Sequence, residues 1–193
     1  MRQNPARRAA LVDAAIEVLA REGARGLTFR AVDVEAKVPN GTASNYFANR
    51  DDLLTQAGAR VYERLEPDPS VFAGALEGPH DRDQLVALMH EMVERLSEFR
   101  SGYLAMLELR LEATRRPELR AVLTRQIRAD LDANVAFHLK IGMPGDATTV
   151  VLLYLALNWL IVDRLTLPDV LSEDRVHDLV TSAVERLLPD EGS

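Results

Sequence analysis

Every patterned stretch of this chain repeats its apolar residues at helical spacing. No run alternates with period two for long enough to make a convincing strand. Leu11, Ala15, Val18 and Leu19 fall at i, i+4, i+7 and i+8. Leu119, Leu123, Ile127, Leu131 and Val135 keep roughly heptad spacing through a long segment. This pattern leaves an all-α fold of about nine helices as the expectation.

The breakers set the boundaries. A first helix is predicted from Pro5 to Glu22, stopped by Gly23 in a left-handed cap position. Thr28 is placed to cap a second helix running through Ala36, with Ala31, Val32 and Ala36 as its small apolar face. Lys37 to Gly41 forms a turn, because Pro39 and Gly41 both oppose helix. A very short polar helix follows from Thr42 to about Phe47. Asn49 or Asp51 then caps a fourth, which continues to Leu65.

Pro67, Pro69, Gly74, Gly78 and Pro79 put a junction near 66–80. The expected division is a head at 1–50, a connecting helix at 51–66 and a body at 67–193. Helices are predicted in the body at Asp81–Phe99, Tyr103–Thr114, Pro117–Ile141 and Thr148–Leu165, with a last one that Ser172 caps and that runs to Leu188.

Composition narrows the class. The 193 residues are 47% apolar and 27% charged, enough for a sizeable core in a soluble protein. There is no cysteine, which excludes disulfides and thiolate metal sites and is compatible with a cytoplasmic protein. The start is basic, but Asp13 and Glu17 interrupt the apolar run that a secretory signal would need. The run Val150–Val162 falls short of the roughly 18–20 residues that span a bilayer, so it is expected to be a helix buried on most sides.

The net charge of −7 conceals a polarity. Residues 1–50 carry eight basic and five acidic residues, and the remainder carries fifteen basic and twenty-five acidic. A basic head on an acidic body is the footprint of a protein that presents one end to a polyanion.

One ordered set of residues spans much of the head: Leu11, Ala14-Ala15, Leu19 and Gly23, then Gly26-Leu27-Thr28-Phe29-Arg30. It continues through Val32, Ala36 and Val38, through Gly41-Thr42-Ala43-Ser44-Asn45-Tyr46-Phe47, and through Asn49-Arg50-Asp51-Asp52-Leu53-Leu54. With this set roughly the first 65 residues resemble the DNA-binding domain of the tetracycline-repressor (TetR) family. The resemblance implies a helix-turn-helix whose reading helix is 42–47, followed by a helical body that binds an effector and dimerises. Arg50 stands where the family often has Lys, and keeps its charge with a forked geometry.

On this reading Asn40 and Asn45 are candidates for base contact, because an amide pairs with adenine in a bidentate manner. No long basic side chain lies between Asn40 and Asn45, so a bidentate guanine contact cannot come from this stretch. Gly41 opens the helix. Thr42 and Ser44 can bond base or phosphate, and Tyr46 and Arg50 are expected on phosphates. Thr28 at the start of its helix is expected on another phosphate, and Arg30 on backbone or base. Arg7 and Arg8 are expected to form a basic arm.

One such unit reads only a few base pairs, so a homodimer on a palindromic operator of double-stranded DNA is expected. The segments 148–165 and 172–188 are its expected interface, forming a four-helix bundle. A small-molecule effector is expected among the apolar and adaptable Met89, Met92, Phe99, Tyr103, Met106, Leu107, Phe137, Tyr154 and Trp159. Arg110, His138, Asn158 and Asp163 are the polar candidates to orient it.

An enzyme is disfavoured: no phosphate-cradling Gly-rich loop, HExxH or nucleophile elbow occurs. No cofactor or metal is expected, since the four histidines show no paired spacing. The rival readings are a helical protein–protein adaptor and a small-molecule-binding protein that does not bind DNA. Neither accounts for the exposed polar character of 40–46.

Overall fold

The computed structural model describes residues 4–65 and 75–188. The described residues hold nine helices of five residues or more: α1 Pro5–Gly26, α2 Phe29–Glu35, α3 Thr42–Tyr46, α4 Arg50–Leu65, α5 Arg82–Glu98, α6 Arg100–Ala113, α7 Pro117–Lys140, α8 Ala147–Thr166 and α9 Glu173–Leu187. A single helical turn lies at 75–77, and no strand occurs among the described residues. The chain is all-α, as its periodicity requires. Most of the expected junction, residues 66–74, lies outside the described residues.

Contacts group the chain into two compact units. One comprises residues 1–66 and 99–127, the other 67–98 and 128–193. The first unit therefore takes in α6 and the first part of α7 along with the expected head.

In the first unit α1 is the central helix and packs against α2, α4 and α6, while α6 also packs against α4. Leu11, Ile16, Val18 and Leu19 of α1 and Leu53, Leu54 and Val61 of α4 are all fully buried in this unit. Each such aliphatic side chain contributes roughly 1.5–3 kcal/mol relative to an exposed one. Asn4 caps α1 by accepting from the Ala6 and Arg7 amides at 3.0 and 3.3 Å. Gly23 adopts φ 67°, as its position at the helix end predicted. One further turn, to Gly26, continues beyond it rather than ending there.

In the second unit α9 packs against α5 and α8, and α5 against α8. Val176, Val180 and Val184 recur every four residues and are all buried. Val184 shares a core with Leu85, Ile141, Met143, Leu153 and Leu188. Ser172 caps α9, as expected, by accepting from the Arg175 amide. Arg164 on α8 ties the unit together, reaching Glu94 of α5 at 2.9 Å and Glu173 of α9 at 2.7 Å.

Helix α8 departs from the sequence expectation in two respects. It is twenty residues long with mean hydropathy 1.5, so by length and composition alone it could cross a membrane. Nor is it buried on most sides: Leu152, Leu155 and Trp159, at i, i+3 and i+7, form an exposed apolar stripe, and Trp159 is 68% exposed.

Candidate nucleic-acid interface

The turn between α2 and α3 is built from the C-terminus of α2 outward. Ala36 ends the helix, and Lys37 takes the left-handed conformation at φ 54°. The Lys37 amide donates to the Val34 carbonyl at 3.1 Å and the Val38 amide to the Asp33 carbonyl at 3.0 Å. This is the paired closure of a Schellman motif. Pro39 and Asn40 then lead to Gly41, at φ 88°, a conformation that glycine adopts without a Cβ penalty.

Helix α3 begins at Gly41, which has no side chain to cap it. The cap comes from α2. Asp33, 1% exposed, accepts from the Gly41 amide through one carboxylate oxygen and from the Ala43 amide through the other, both at 2.7 Å. Ala43 and Phe47 face inward and are buried. Asn40, Gly41, Ser44 and Asn45 are exposed, and Thr42 and Tyr46 half-buried. The side chains of Thr42, Ser44 and Asn45 bond locally to the Pro39 and Gly41 carbonyls. The reading face is thus polar and outward, as the residue types predicted.

The C-terminal end of α3 is held by Arg8. Its guanidinium donates to the Tyr46 carbonyl at 2.7 Å and to Gln56 Oε1 at 2.8 Å, and its charge lies 5.2 Å from the centre of the Phe47 ring. Gln56 donates in turn to Asp52, which accepts from the Ala48 amide, while Asn49 Oδ1 accepts from the Asp52 amide. Asn49, not Asp51, is therefore the cap of α4. Arg8 is a clamp inside the unit rather than the arm expected from sequence, whereas Arg7 is exposed.

Arg50 also has a different job from the one expected. Its Nε donates to the Leu27 carbonyl at 3.0 Å and its Nη2 to the Ala24 carbonyl. The forked guanidinium fixes the short segment that follows Gly23. The same segment is held from α6, where Glu108 accepts from the Ala24 amide at 2.9 Å. The physical reason is local: the chain leaves helical geometry at Gly23, the Ala24 carbonyl accepts from the Leu27 amide at 3.3 Å, and a guanidinium at the start of α4 bonds that carbonyl and the Leu27 carbonyl together. Thr28 caps α2 by accepting from the Ala31 amide at 3.1 Å, as predicted, and Arg30 is exposed.

Charge follows the compact units more closely than it follows the expected boundary. The first unit holds sixteen basic and twelve acidic residues, and the second holds seven basic and eighteen acidic. The unit that carries α3 is net positive by four.

Two family models account for most of the chain. One, for bacterial regulatory proteins of the tetR family, matches residues 11–57. The other, for the tetracyclin repressor-like C-terminal domain, matches residues 80–190. The chain belongs to the TetR family. It is a ligand-responsive DNA-binding transcriptional regulator with its helix-turn-helix at the amino end.

Among curated TetR-type relatives, the HTH-type transcriptional regulator BetI of Agrobacterium fabrum is 28% identical over 149 residues, 76% of this chain and 70% of that protein. The nicotine-responsive transcriptional repressor HdnoR of Paenarthrobacter nicotinovorans is 26% identical over 135 residues, 67% of this chain and 66% of that one. Among solved structures, the multidrug binding protein EbrR complexed with ethidium superposes with a TM-score of 0.67. It is 29% identical, with 95% of this chain and 99% of that chain covered. TetR-family regulators are non-enzymatic and soluble, and they bind operators as dimers with small-molecule effectors.

The side chains expected to hold the TetR effector fall in both compact units. In the first, Tyr103 and Met106 are buried in the core, Arg110 is exposed, and Phe99 stands at the start of α6 with the Arg64 guanidinium 4.3 Å from its ring centre. In the second, Met89 and Phe137 are partly buried against the main core, and Met92 and Tyr154 are half-buried. Three assignments are corrected. Trp159 points outward from α8, 68% exposed, because no described residue covers its helix face. Arg110 is exposed and turned from the core. His138 is buried, and its Nε2–H donates to the Pro144 carbonyl at 2.9 Å, tying the end of α7 to the following turn. Asn158 donates to the Tyr154 carbonyl of its own helix at 2.7 Å. An open groove of about 360 Å³ between α5 and α9 is lined by other residues, among them Val86, His90, His177 and Thr181.

Sequence reading missed Asp33 and Gln56, and gave Arg8 the role of an arm rather than of a clamp on α3. The available signal for Asp33 was a short helix opening on glycine, with no side chain of its own to serve as cap.

Proposed function

We propose that the protein is a cytoplasmic homodimeric repressor that reads a palindromic operator through α3 and is released by a small-molecule effector. The observation that carries this reading is the division of α3 into two faces. Ala43 and Phe47 hold it to the unit, and Asn40, Ser44 and Asn45 stand out at the surface of a net-positive body. Such a helix fits the major groove with its amides toward base edges. Thr28, Arg30, Thr42 and Tyr46 are proposed to lie against the phosphates on either side, fixing register without reading sequence. Arg50 supports this surface from behind through the Ala24 and Leu27 carbonyls.

Two copies are proposed to meet through α8 and α9. The stripe of Leu152, Leu155 and Trp159 is an apolar surface left uncovered by the described residues, the kind of patch that marks an interface. The effector is proposed to lie in the second unit, against Met89, Met92, Phe137, Tyr154 and Asn158. Nicotine-responsive HdnoR and ethidium-bound EbrR support a ligand class of nitrogen-containing aromatic molecules. Ligand release of DNA requires that the ligand bind the DNA-free geometry more tightly than the DNA-bound one.

The test is selection of bound fragments from random duplexes at stated salt, followed by titration of the selected duplex. A two-fold symmetric consensus is expected. Asn45→Ala should lower discrimination at its base pair by about 1–3 kcal/mol while leaving affinity for unselected duplex unchanged. Selection that returns no consensus overturns the reading.

A further inference from the structure

Helix α3 is five residues long, far below the length at which a helix stands alone in water. Its two ends are nevertheless held by side chains of opposite charge from other helices. The Asp33 carboxylate sits on its first amides, Gly41 and Ala43, at 2.7 Å. The Arg8 guanidinium sits on the Tyr46 carbonyl at its other end, at 2.7 Å. The signs match the helix dipole, negative at the amino end and positive at the carboxyl end. From this we infer that Asp33 and Arg8 are positioning residues for sequence recognition: they preform the reading helix before DNA arrives and set the angle of Asn40, Ser44 and Asn45. The inference rests on the proposal that α3 reads the duplex.

The electrostatics make this role separable from simple charge. Asp33 is a negative group in the unit that meets a polyanion. If charge were its whole effect, removing it would tighten binding to every duplex. A positioning role gives the opposite sign for the selected duplex. The carboxylate accepts from two amides at once, and Asn has only one acceptor oxygen to offer them, its amide nitrogen opposing the second N–H. Arg8→Lys keeps the charge but loses the forked reach that spans Tyr46 and Gln56.

The experiment measures wild type, Asp33→Asn and Arg8→Lys as full-length protein. Each is titrated with the duplex selected by wild type and with a random duplex of equal length at one salt concentration. In wild type alone, hydrogen exchange at the Gly41 and Ala43 amides is followed without DNA. The expected result is a 10–100-fold loss of affinity for the selected duplex in both variants, random-duplex affinity within about threefold of wild type, and both amides protected in the free protein. If either amide exchanges like an exposed one, or if both variants bind the selected duplex within twofold of wild type, the inference is overturned. Equal losses on both duplexes overturn it as well. Should Asp33→Asn fail to fold, Arg8→Lys and the exchange of wild type decide. Wild type that selects no duplex overturns the proposed function instead, which keeps the two failures distinct.

Discussion

Helices α3 and α8 each show one face to solvent, but they are held by opposite means. Helix α8 is self-sufficient. It is twenty residues long, carries its own capping box between Asp146 and Thr149, and buries Leu153, Leu157, Leu160, Ile161 and Leu165. Helix α3 is five residues long, begins at a bare glycine and takes both of its caps from elsewhere. Their free faces differ in the same sense, with polar amides and a hydroxyl on α3 and Leu152, Leu155 and Trp159 on α8. A face that must read hydrogen-bonding groups is held by hydrogen bonds and breaks at single polar substitutions. A face that must be covered by another apolar surface is stable as a helix and fails by losing its cover.

The largest expected effect is on the apolar anchor of α3. Phe47 is 2% exposed, and Phe47→Ala should destabilise the protein by about 3–5 kcal/mol, read as a fall in the denaturation midpoint. The contrast between the helices would be blunted if this variant kept its midpoint, since α3 would then be held by polar contacts alone. The next effect lies on α8. Trp159 is 68% exposed in the chain, so Trp159→Glu should leave the fold intact and weaken dimerisation by about 2–4 kcal/mol, measured by sedimentation equilibrium. A variant that stays as dimeric as wild type would remove this stripe from the interface.

Arg50 sharpens the comparison at smaller magnitude. Arg50→Ala removes the guanidinium from the Leu27 carbonyl and leaves the Ala24 carbonyl with the Leu27 amide alone, at a cost of about 1–3 kcal/mol in stability. A side chain committed to carbonyls should leave the dependence of DNA affinity on salt unchanged. A slope reduced by about one unit per site would return Arg50 to the phosphates.

The sequence made much of this legible, and what it withheld has a common cause. Periodicity and breakers placed all nine helices. Local rules found the caps at Thr28 and Ser172, because a cap and its helix are neighbours in the chain. Asp33 escaped, and Arg8 was expected in an arm instead, because they act on backbone ten and thirty-eight residues away, where no spacing rule reaches. The assignments at Trp159 and His138 went astray for a related reason. An apolar aromatic on a helix reads the same whether it faces a pocket, a core or a partner, and only packing decides. The exposure of Asn40 and Asn45 was legible because nothing apolar lies on that face of α3 to draw it inward.

The smallest expected effect concerns pH and lies in the second unit, around α8. Burial pushes the His138 imidazole below its ordinary value of 6.5, against the opposing pull of its bond to the Pro144 carbonyl. The unfolded chain therefore takes up a proton at a pH where folded His138 remains neutral. Stability is complete above about pH 6.5 and falls as pH drops from there toward the folded value. His90 shifts the same way, through burial first and His177 second. Asp146, held low mainly by the Thr149 amide, acts in a separate window: its contribution is present above the ordinary carboxylate range and is lost as acid protonates the cap. His138→Gln should flatten part of the decline between neutral and mildly acid pH without touching the more acid limb. Thermal melts at stepped pH check this. An unchanged slope in the variant would mean that the end of α7 does not sense protons, and that the acid sensitivity of the second unit lies with His90 and its stacked neighbour on α9.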